Sequence, residues 1–346
     1  MTRSVQYKIR VLRDGAEYSA LDWAEESPPN VMVDASGDIK GSMSAQLYPR
    51  DDVDLLSDEL QPIMIVDGTE TPLGVFRAAT VQNTYDRYGQ RWDIEAYDRC
   101  WQVQQQRTEG ILHLAADTPY LTAVQQLLTT AGLKLILAIP SSATLTTDRE
   151  DWEPGTDLLT ICNQLLAEIN YAPIWFDGRG ICRLEPQSTP TGGTIDHAYS
   201  STDLQLEPIT DDRTQELDIF SAANVFIRIC SNPDLAAPLT ATAVNDSPTS
   251  SISTVRRKMR ILDVATVDNV ASQADLQELV NRLRNDSMHA TRVITFYSLA
   301  SAAHGVGDIL SIDDPDIGGL WQETAWSITL AAGELMRHTA KRVVIA

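Results

Sequence analysis

Turn dipeptides divide the first 98 residues into short segments, and this division constrains the fold more than any other feature of the chain. The turn signals are Asp14-Gly15, Asp67-Gly68 and Tyr88-Gly89. Between them apolar and polar residues alternate, as from Met43 to Leu47 and from Trp92 to Tyr97. Alternation with a period of two places the apolar side chains on one face of a strand. Several short strands joined by tight turns predict a β-barrel or a β-sandwich.

Residues 99–190 have a different pattern, which predicts two helices and a hairpin. The segments Thr118 to Leu128 and Thr156 to Leu166 carry threonine, leucine, glutamine and a leucine pair at the same spacing. We expect each first threonine to be an N-cap, Pro119 to take the first helical position and Gly132 to end the first helix. Duplication and convergence on one amphipathic pattern both explain the similarity. A hairpin is predicted around Asp177-Gly178.

Residues 191–346 are predicted to return to β-structure. The Pro- and Gly-containing segment from Glu185 to Ser201 is typical of a linker, and the polar segment from Asn232 to Ser253 of a loop. Near the C-terminus we expect the strand Ile309 to Ile312 to pair with Trp321 to Leu330 across the loop Asp313 to Gly319.

One amphipathic helix is predicted within this region, from Ser272 to Arg284. Ser272 is in position to cap the helix, with Asp275 three residues later. The apolar residues recur at helical spacing; they are Leu276, Leu279, Val280 and Leu283. We expect this stripe to pack against the second β-barrel, which this β region would form.

The charge balance limits the partners of the chain. Its 346 residues carry 27 Lys and Arg against 48 Asp and Glu, a net charge of −21. An acidic surface repels nucleic-acid phosphates and anionic membranes. Such a surface has two interpretations: it keeps the protein soluble, or it lets DNA pass without binding. The net charge alone does not distinguish between them. We expect no signal peptide and no membrane-spanning segment, which needs ~20 apolar residues.

The sequence predicts no catalytic, cofactor-binding or metal-binding residue. The histidines have no ligand spacing; they are His113, His197, His289, His304 and His338. We expect His304, next to Gly305, to be a solvated loop residue. The cysteines lack Cys-x-x-Cys spacing and are expected to be buried and reduced; they are Cys100, Cys162, Cys182 and Cys230. Motifs for a nucleophilic serine or a phosphate-binding loop are absent from the sequence.

Acidic segments and tryptophans keep two other functions open. The acidic segments are Arg149 to Trp152, Thr210 to Arg213 and Asp313 to Asp316. Paired carboxylates are the catalytic groups of glycosidases. The segment Asp313 to Asp316 also offers oxygen ligands for calcium, although it lacks the spacing of an EF-hand. The tryptophans that would form a sugar-binding platform are Trp92, Trp101, Trp152, Trp175, Trp321 and Trp326. We expect the acidic segments to be polar turns and most of the tryptophans to be core residues.

Three motifs follow one another along the chain. The first is a strand that ends in Trp92 to Arg99. The second is Gly155 to Tyr171, which leads into Phe176-Asp-Gly178 and Cys182 to Pro186. The third is the C-terminal helix, followed by Gly307-Asp-Ile309 and a strand. In this order they resemble the tail hub, or baseplate hub, proteins of long-tailed phages, contractile bacteriocins and related injection systems, over most of the chain. Asn170 stands where that family prefers glycine, and asparagine adopts the same left-handed conformation.

The resemblance implies an α+β, mainly β fold with three domains. Two tail-tube-like β-barrel domains, at 1–98 and 191–346, flank an α/β middle domain with helices at 99–190. It implies a non-enzymatic homotrimer whose ring joins a sixfold tail tube to a threefold central spike around a channel. Its expected partners are the tail tube, central spike and tape measure proteins, with no cofactor and no stable nucleic-acid binding, since DNA only passes through the channel.

The expected location is the tail tip or baseplate of a virion or phage-tail-like particle, assembled in the host cytoplasm. Two alternatives remain open at this stage: a tail-associated peptidoglycan hydrolase, and a β-rich carbohydrate-binding module for host recognition.

Overall fold

The alternating segments at the N-terminus form strands, as the sequence predicts. The computed structural model describes residues 3–87, 89–187, 194–203, 205–217, 222–230, 238–267, 273–289, 292–302, 304–305 and 307–343. Two compact units contain the chain. The first comprises Met1–Thr189, Ser298–Gly307 and Thr324–Arg337, and the second comprises Pro190–Tyr297, Asp308–Glu323 and His338–Ala346.

Antiparallel strands form the N-terminal part of the first unit. They are β1 (Val5–Arg13), β2 (Ala16–Leu21), β3 (Asn30–Asp34), β4 (Gly41–Leu47), β5 (Glu59–Val66), β6 (Thr69–Pro72), β7 (Phe76–Asp86) and β8 (Gly89–Asp98). Asp14-Gly15 has φ angles of 53° and 82°, and Asp67-Gly68 of 49° and 83°. Two consecutive left-handed residues are what a type I′ hairpin turn requires. Along β4 the residues Met43, Ala45 and Leu47 are buried, which confirms the period of two.

The strand pairing of this unit returns on itself. The order is β2-β1-β5-β7-β8-β4, and an isolated bridge between Trp23 and Leu47 links the end of β2 to the end of β4. Beside the bridge, the N–H of Ala24 donates to the carbonyl of Gln46 (3.0 Å) and the N–H of Tyr48 to that of Asp22 (2.9 Å). We call these six strands the first barrel; β6 pairs with β5 outside the ring, and β3 pairs with β4.

The middle region contains three helices where the sequence predicts two. Its elements are α1 (Arg99–Gln105), α2 (Tyr120–Thr130), β9 (Ile136–Ala138), α3 (Leu158–Glu168), β10 (Trp175–Phe176) and β11 (Cys182–Leu184). The short helix α1 was not predicted, because seven residues are too few to display a helical period. The strands β10 and β11 form the predicted hairpin around Asp177-Gly178, and β9 adds to it in parallel. One apolar core holds these elements together.

The predicted N-caps of α2 and α3 are wrong by one residue. Pro119 caps α2 without a side-chain hydrogen bond, and its carbonyl accepts the first helical bond from Ala123 (3.1 Å). Asp157 caps α3, because its carboxylate accepts from the N–H of Thr160 (2.8 Å). Both threonines, Thr118 and Thr156, therefore lie one residue before the cap.

The two helices end in the same way. After α2 the N–H of Leu133 donates to the carbonyl of Leu128 (3.0 Å), and after α3 the N–H of Tyr171 donates to that of Leu166 (2.9 Å). Both are Schellman motifs. In each motif one residue has a left-handed backbone conformation. It is Gly132 (φ 88°) after α2 and Asn170 (φ 60°) after α3. The prediction that Gly132 ends the first helix is confirmed.

The second unit also contains a closed ring of strands. Its elements are β12 (His197–Ser200), β13 (Glu207–Leu217), β14 (Val225–Cys230), β15 (Leu239–Val244), α4 (Thr254–Arg257), β16 (Leu262–Val267), α5 (Gln273–His289), β17 (Arg292–Leu299), β18 (Ile309–Asp313), β19 (Gly319–Thr329) and β20 (Leu335–Arg342). The order β18-β12-β13-β17-β20-β19 is closed by the predicted pairing of β18 with β19. We call this ring the second barrel. Residues Ala325 to Thr329 of β19 belong to the first unit, where they pair with β3.

Two segments for which the sequence predicts no strand each contain a strand in the structure. The predicted linker from Glu185 to Ser201 includes β12, which is paired in parallel with β18. The predicted loop from Asn232 to Ser253 includes β15, which is antiparallel to β14. Both strands are short and lie among turn-forming residues, so composition concealed them.

The helix α5 packs on a separate sheet and not on the second barrel, contrary to our expectation. This sheet has the order β15-β14-β16. Leu276 and Val280 are fully buried against Phe226 and Cys230, and Leu279 and Leu283 are partly buried. The predicted cap Ser272 and the side chain of Asp275 lie outside the described residues.

The mainly β fold with barrels is thus confirmed. The three domains with boundaries after residues 98 and 190 stay a prediction. No helix within the described residues has the length and apolar character to cross a membrane.

Candidate functional site

Arg213 brings two of the acidic segments together. Its guanidinium lies 3.2 Å from Oδ1 of Asp314 and 2.8 Å from Oδ2 of Asp316. Oδ1 of Asp314 also accepts from the backbone N–H of Asp316 (2.9 Å) and of Ile317 (3.0 Å). Burial favours protonation of Asp314, but hydrogen bonds from Ser201 and these N–H groups, with the charge of Arg213, keep its pKa below the ordinary value. The segment is a structural turn that is held by an ion pair.

Arg149 occupies the remaining acidic segment. Its guanidinium donates two hydrogen bonds to the carboxylate of Glu168, at 2.8 and 3.0 Å, and a further one to Asp151. A glycosidase acid must hold a proton near neutral pH, whereas an adjacent arginine favours the ionised carboxylate. Both carboxylates, of Asp151 and Glu168, are thus held in ion pairs with Arg149.

The tryptophans do not form an exposed platform. Trp152, Trp321 and Trp326 are buried, and Trp92, Trp101 and Trp175 are half-buried. The expectation that most are core residues is confirmed for the first three. A sugar platform needs exposed ring faces, and none of these six side chains is among the exposed hydrophobic residues.

All four cysteines are buried and form no disulfide bond with one another, as expected. Burial raises the pKa of Cys182 to about 12 and also raises the pKa values of Cys100 and Cys162. A thiol with a raised pKa is a poor nucleophile, so these cysteines act as small apolar residues.

Histidines are more buried than the sequence suggested. His304 is only 9% exposed, so the expectation of a solvated loop residue is wrong. His197 lies 3.2 Å from Asp308; burial opposes its charge, but this hydrogen bond and the charge of Asp308 hold its pKa above the ordinary value. The exposed His113 pairs with Glu150 at 3.0 Å. The side chain of His289 lies outside the described residues.

His338 and Glu323 form a fully buried pair in the second barrel. Nδ1 of His338 lies 2.6 Å from Oε1 of Glu323. The imidazole stacks on Phe296, with ring centroids 4.6 Å apart and an angle of 13° between planes. Tyr199 contacts both rings from the side, at centroid distances of 5.2 and 5.5 Å. This enclosed cluster has the features of a core network that fixes the packing of β19 and β20.

Asp98 is a second buried ionisable group, where β8 meets α1. Its carboxylate accepts from the N–H of Gly41 (2.7 Å) and of Cys100 (2.9 Å). Burial raises the pKa of Asp98 to about 6, although these hydrogen bonds and nearby Lys40 favour the charged form.

Within the described residues, two exposed apolar surfaces lie along edge strands. In the segment 135–139, which contains β9, every second side chain faces solvent, with Leu135, Leu137 and Ile139 exposed by 56%, 50% and 47%. We call these three residues the β9 edge. The alternate residues Ile136 and Ala138 pack on the core of the middle region.

The second surface is the face of the three-stranded sheet opposite α5. Partners in the strand register share a face, so Val264 lies beside Ile227 and Thr242. The face carries no charged residue; its members are Val225, Ile227, Ile229, Thr240, Thr242, Val244, Leu262, Val264 and Thr266. Leu262 and Val264 are 55% and 54% exposed. We call these nine residues the β16 face.

Sequence reasoning missed both surfaces. Leu133 to Ile139 is almost continuously apolar, so its period is hidden. Leu262 to Val267 alternates, but alternation does not tell which face is covered, and here the larger side chains, Leu262 and Val264, point to solvent.

The comparisons with known proteins bear on the fold. No protein-family model matches the sequence, and no curated protein matches it. A tail protein from Neisseria meningitidis MC58 superposes with a TM-score of 0.71 at 14% identity, over 97% of this chain and 97% of that chain. The 43 kDa tail protein of prophage MuSo2 from Shewanella oneidensis gives 0.67 at 8% identity, over 97% and 98%.

A component of the type VI secretion system of E. coli, described as structurally similar to the T4 bacteriophage tail proteins gp27 and gp5, gives a TM-score of 0.51 at 9% identity. The match covers 97% of this chain and 77% of that chain. The resemblance to tail proteins that the sequence predicts is confirmed at the level of the fold.

Proposed function

We propose that this chain is a structural hub protein of a phage tail or a related injection particle. In this role it forms a homotrimeric ring around the channel, and the ring joins a sixfold tail tube to a threefold central spike. The location is the tail tip or baseplate, with assembly in the host cytoplasm. Its partners are the tail tube and central spike proteins, and the tape measure protein.

The observation that carries the proposal is the presence of two closed rings of six strands in one chain. Three copies present six such barrels, and this number matches a sixfold tube while the ring itself keeps threefold symmetry. The tail proteins with the same fold over nearly the whole chain support this assignment.

A non-enzymatic role agrees with the chemistry of the described residues. The arginines Arg149 and Arg213 engage the carboxylates that a hydrolase would need, and the cysteines are buried. The domains at 1–98, 99–190 and 191–346 are proposed as the first barrel domain, the α/β middle domain and the second barrel domain.

Electron microscopy of the particle that contains this chain tests the proposal. We expect a ring of three copies at the junction of tube and spike, with the channel on its axis. A single copy in the assembled particle, or a location on a peripheral fibre, would contradict it. Clearing of a cell-wall substrate by the purified chain would favour the hydrolase instead.

A further inference from the structure

We propose that the β16 face of one copy docks on the β9 edge of the next copy in the ring. The inference rests on the proposed trimer and assigns the two surfaces through which its subunits meet. Val264 and Leu137 lie at the centres of the two surfaces and are 54% and 50% exposed in the single chain, and Val225 is the one fully buried member of the β16 face.

Charge limits where two copies can touch. Each chain carries a net charge of −21, so most pairs of surfaces bring carboxylates together. Like charges that face each other across an interface cost several kcal/mol. The nine residues of the β16 face and the three of the β9 edge are all uncharged. Arg183, opposite Leu137 on β11, is paired with Asp177 at 2.6 Å and adds no unbalanced charge.

Symmetry requires two different surfaces. In a ring of three identical chains each contact is heterologous, so a surface on one copy meets another surface on its neighbour. The strand β16 exposes Leu262 and Val264 at alternate positions, and β9 exposes Leu137 between the exposed flanking residues Leu135 and Ile139. The chain thus offers the two halves of such a contact, one in each unit.

Both surfaces lie on edge strands. The strand β9 is last in the order β10-β11-β9, and β16 is last in β15-β14-β16. An apolar edge strand left open pairs with other chains, and natural proteins cover it or place charges on it. The strand β9 has neither device within the described residues. The one charged residue of β16, Asp263, is paired with Arg228 and lies on the opposite face from Val264, so the two apolar surfaces are left for a partner subunit to cover.

Cysteine cross-linking of the full-length chain tests the contact. The native cysteines are buried, so Val264→Cys and Leu137→Cys each introduce one accessible thiol. We expect a short bis-maleimide to yield roughly tenfold more covalent dimer from a mixture of the two variants than from either alone, because docking raises the effective concentration of the thiols.

Leu56→Cys provides the matched control, since Leu56 is 91% exposed and lies outside both surfaces. A mixture of this variant with Leu137→Cys should give only the background of random collision. The inference is overturned if the Val264→Cys and Leu137→Cys mixture stays at that background, or if Val264→Cys cross-links to itself equally well. A threefold ring in images together with a background yield would leave the hub proposal standing and remove only this contact.

Charge substitution gives an independent readout. We expect Val264→Asp and Leu137→Asp each to lower the trimer fraction in light scattering at high concentration, while Leu56→Asp leaves it unchanged. Equal behaviour of all three variants would overturn the assignment.

Discussion

Nδ1 of His338 lies 2.6 Å from Oε1 of Glu323, and both side chains are buried in the second barrel. Removal of one partner deletes a hydrogen bond that is buried in a medium of low polarity. We expect Glu323→Ala to lower the free energy of unfolding by about 3–5 kcal/mol in urea titrations. The exposed pair of His113 and Glu150 is the control, since Glu150→Ala should cost at most about 1 kcal/mol. Equal losses for both variants would contradict a buried network.

The stability of the first unit should depend on the ionisation of Asp98. Its pKa rises from 3.8 to about 6 on folding, so the folded state holds the proton more tightly. This contribution is present below pH 4 and is lost as the pH rises through about 6, by about 3 kcal/mol in all. Asp98→Asn should remove this part of the pH profile. We would measure urea unfolding of both proteins from pH 4 to 8; parallel profiles would refute the raised pKa.

Two leucines of α5 should differ in their effect on stability. Leu276 is fully buried under the helix, whereas Leu279 is only partly buried. Leu276→Ala should cost about 2–5 kcal/mol, and Leu279→Ala less than half of that. Denaturant midpoints of the two variants give the comparison. A larger loss at Leu279 would mean that the helix is rotated about its axis.

The helix ends at Gly132 and Asn170 should respond in opposite ways to substitution. A side chain at Gly132 is strained at φ 88°, and its Cβ would lie 3.1 Å from Nε2 of Gln102. We expect Gly132→Ala to destabilise by about 1 kcal/mol, whereas Asn170→Gly should be neutral or slightly stabilising. Thermal unfolding of both variants tests this, and destabilisation by Asn170→Gly would show that the asparagine side chain has a further role.

The channel wall of the proposed ring should be acidic or neutral. A basic wall would hold DNA phosphates through counterion release and stop their passage. The net charge of −21 supplies the necessary carboxylates. A structure of the assembled ring checks this prediction, and a channel lined mainly by Arg and Lys would point to a protein that grips nucleic acid.

Local patterns predicted the strands and turns well and their partners poorly. The alternation from Met43 to Leu47 and the Asp-Gly turns are encoded by neighbouring residues, and the structure has them as predicted. The position of β16 is not encoded in this way. Its pattern is that of an ordinary strand, and only long-range pairing with β14 separates it from the second barrel.

The candidate surfaces show the same limit. Alternation at Leu262 and Val264 indicates that one face is apolar, but burial of that face depends on what covers it. Likewise, the buried pair of Glu323 and His338 joins residues on neighbouring strands, and no spacing motif connects them. The N-cap of α3 was predicted more accurately from neighbouring residues, because the observed cap, Asp157, directly follows the predicted cap, Thr156.

The first barrel is closed between β2 and β4 by one bridge, from Trp23 to Leu47, whereas β7 and β8 pair from Phe76 to Asp98. Local opening of a protein follows its least supported contacts. The barrel is therefore least supported where β2 meets β4, and thermal fluctuations should separate these two strands first. The amide protons of Ala24 and Tyr48 would exchange with solvent long before those at the centre of β8. The barrel would thus open along one seam, and its circumference would not expand evenly.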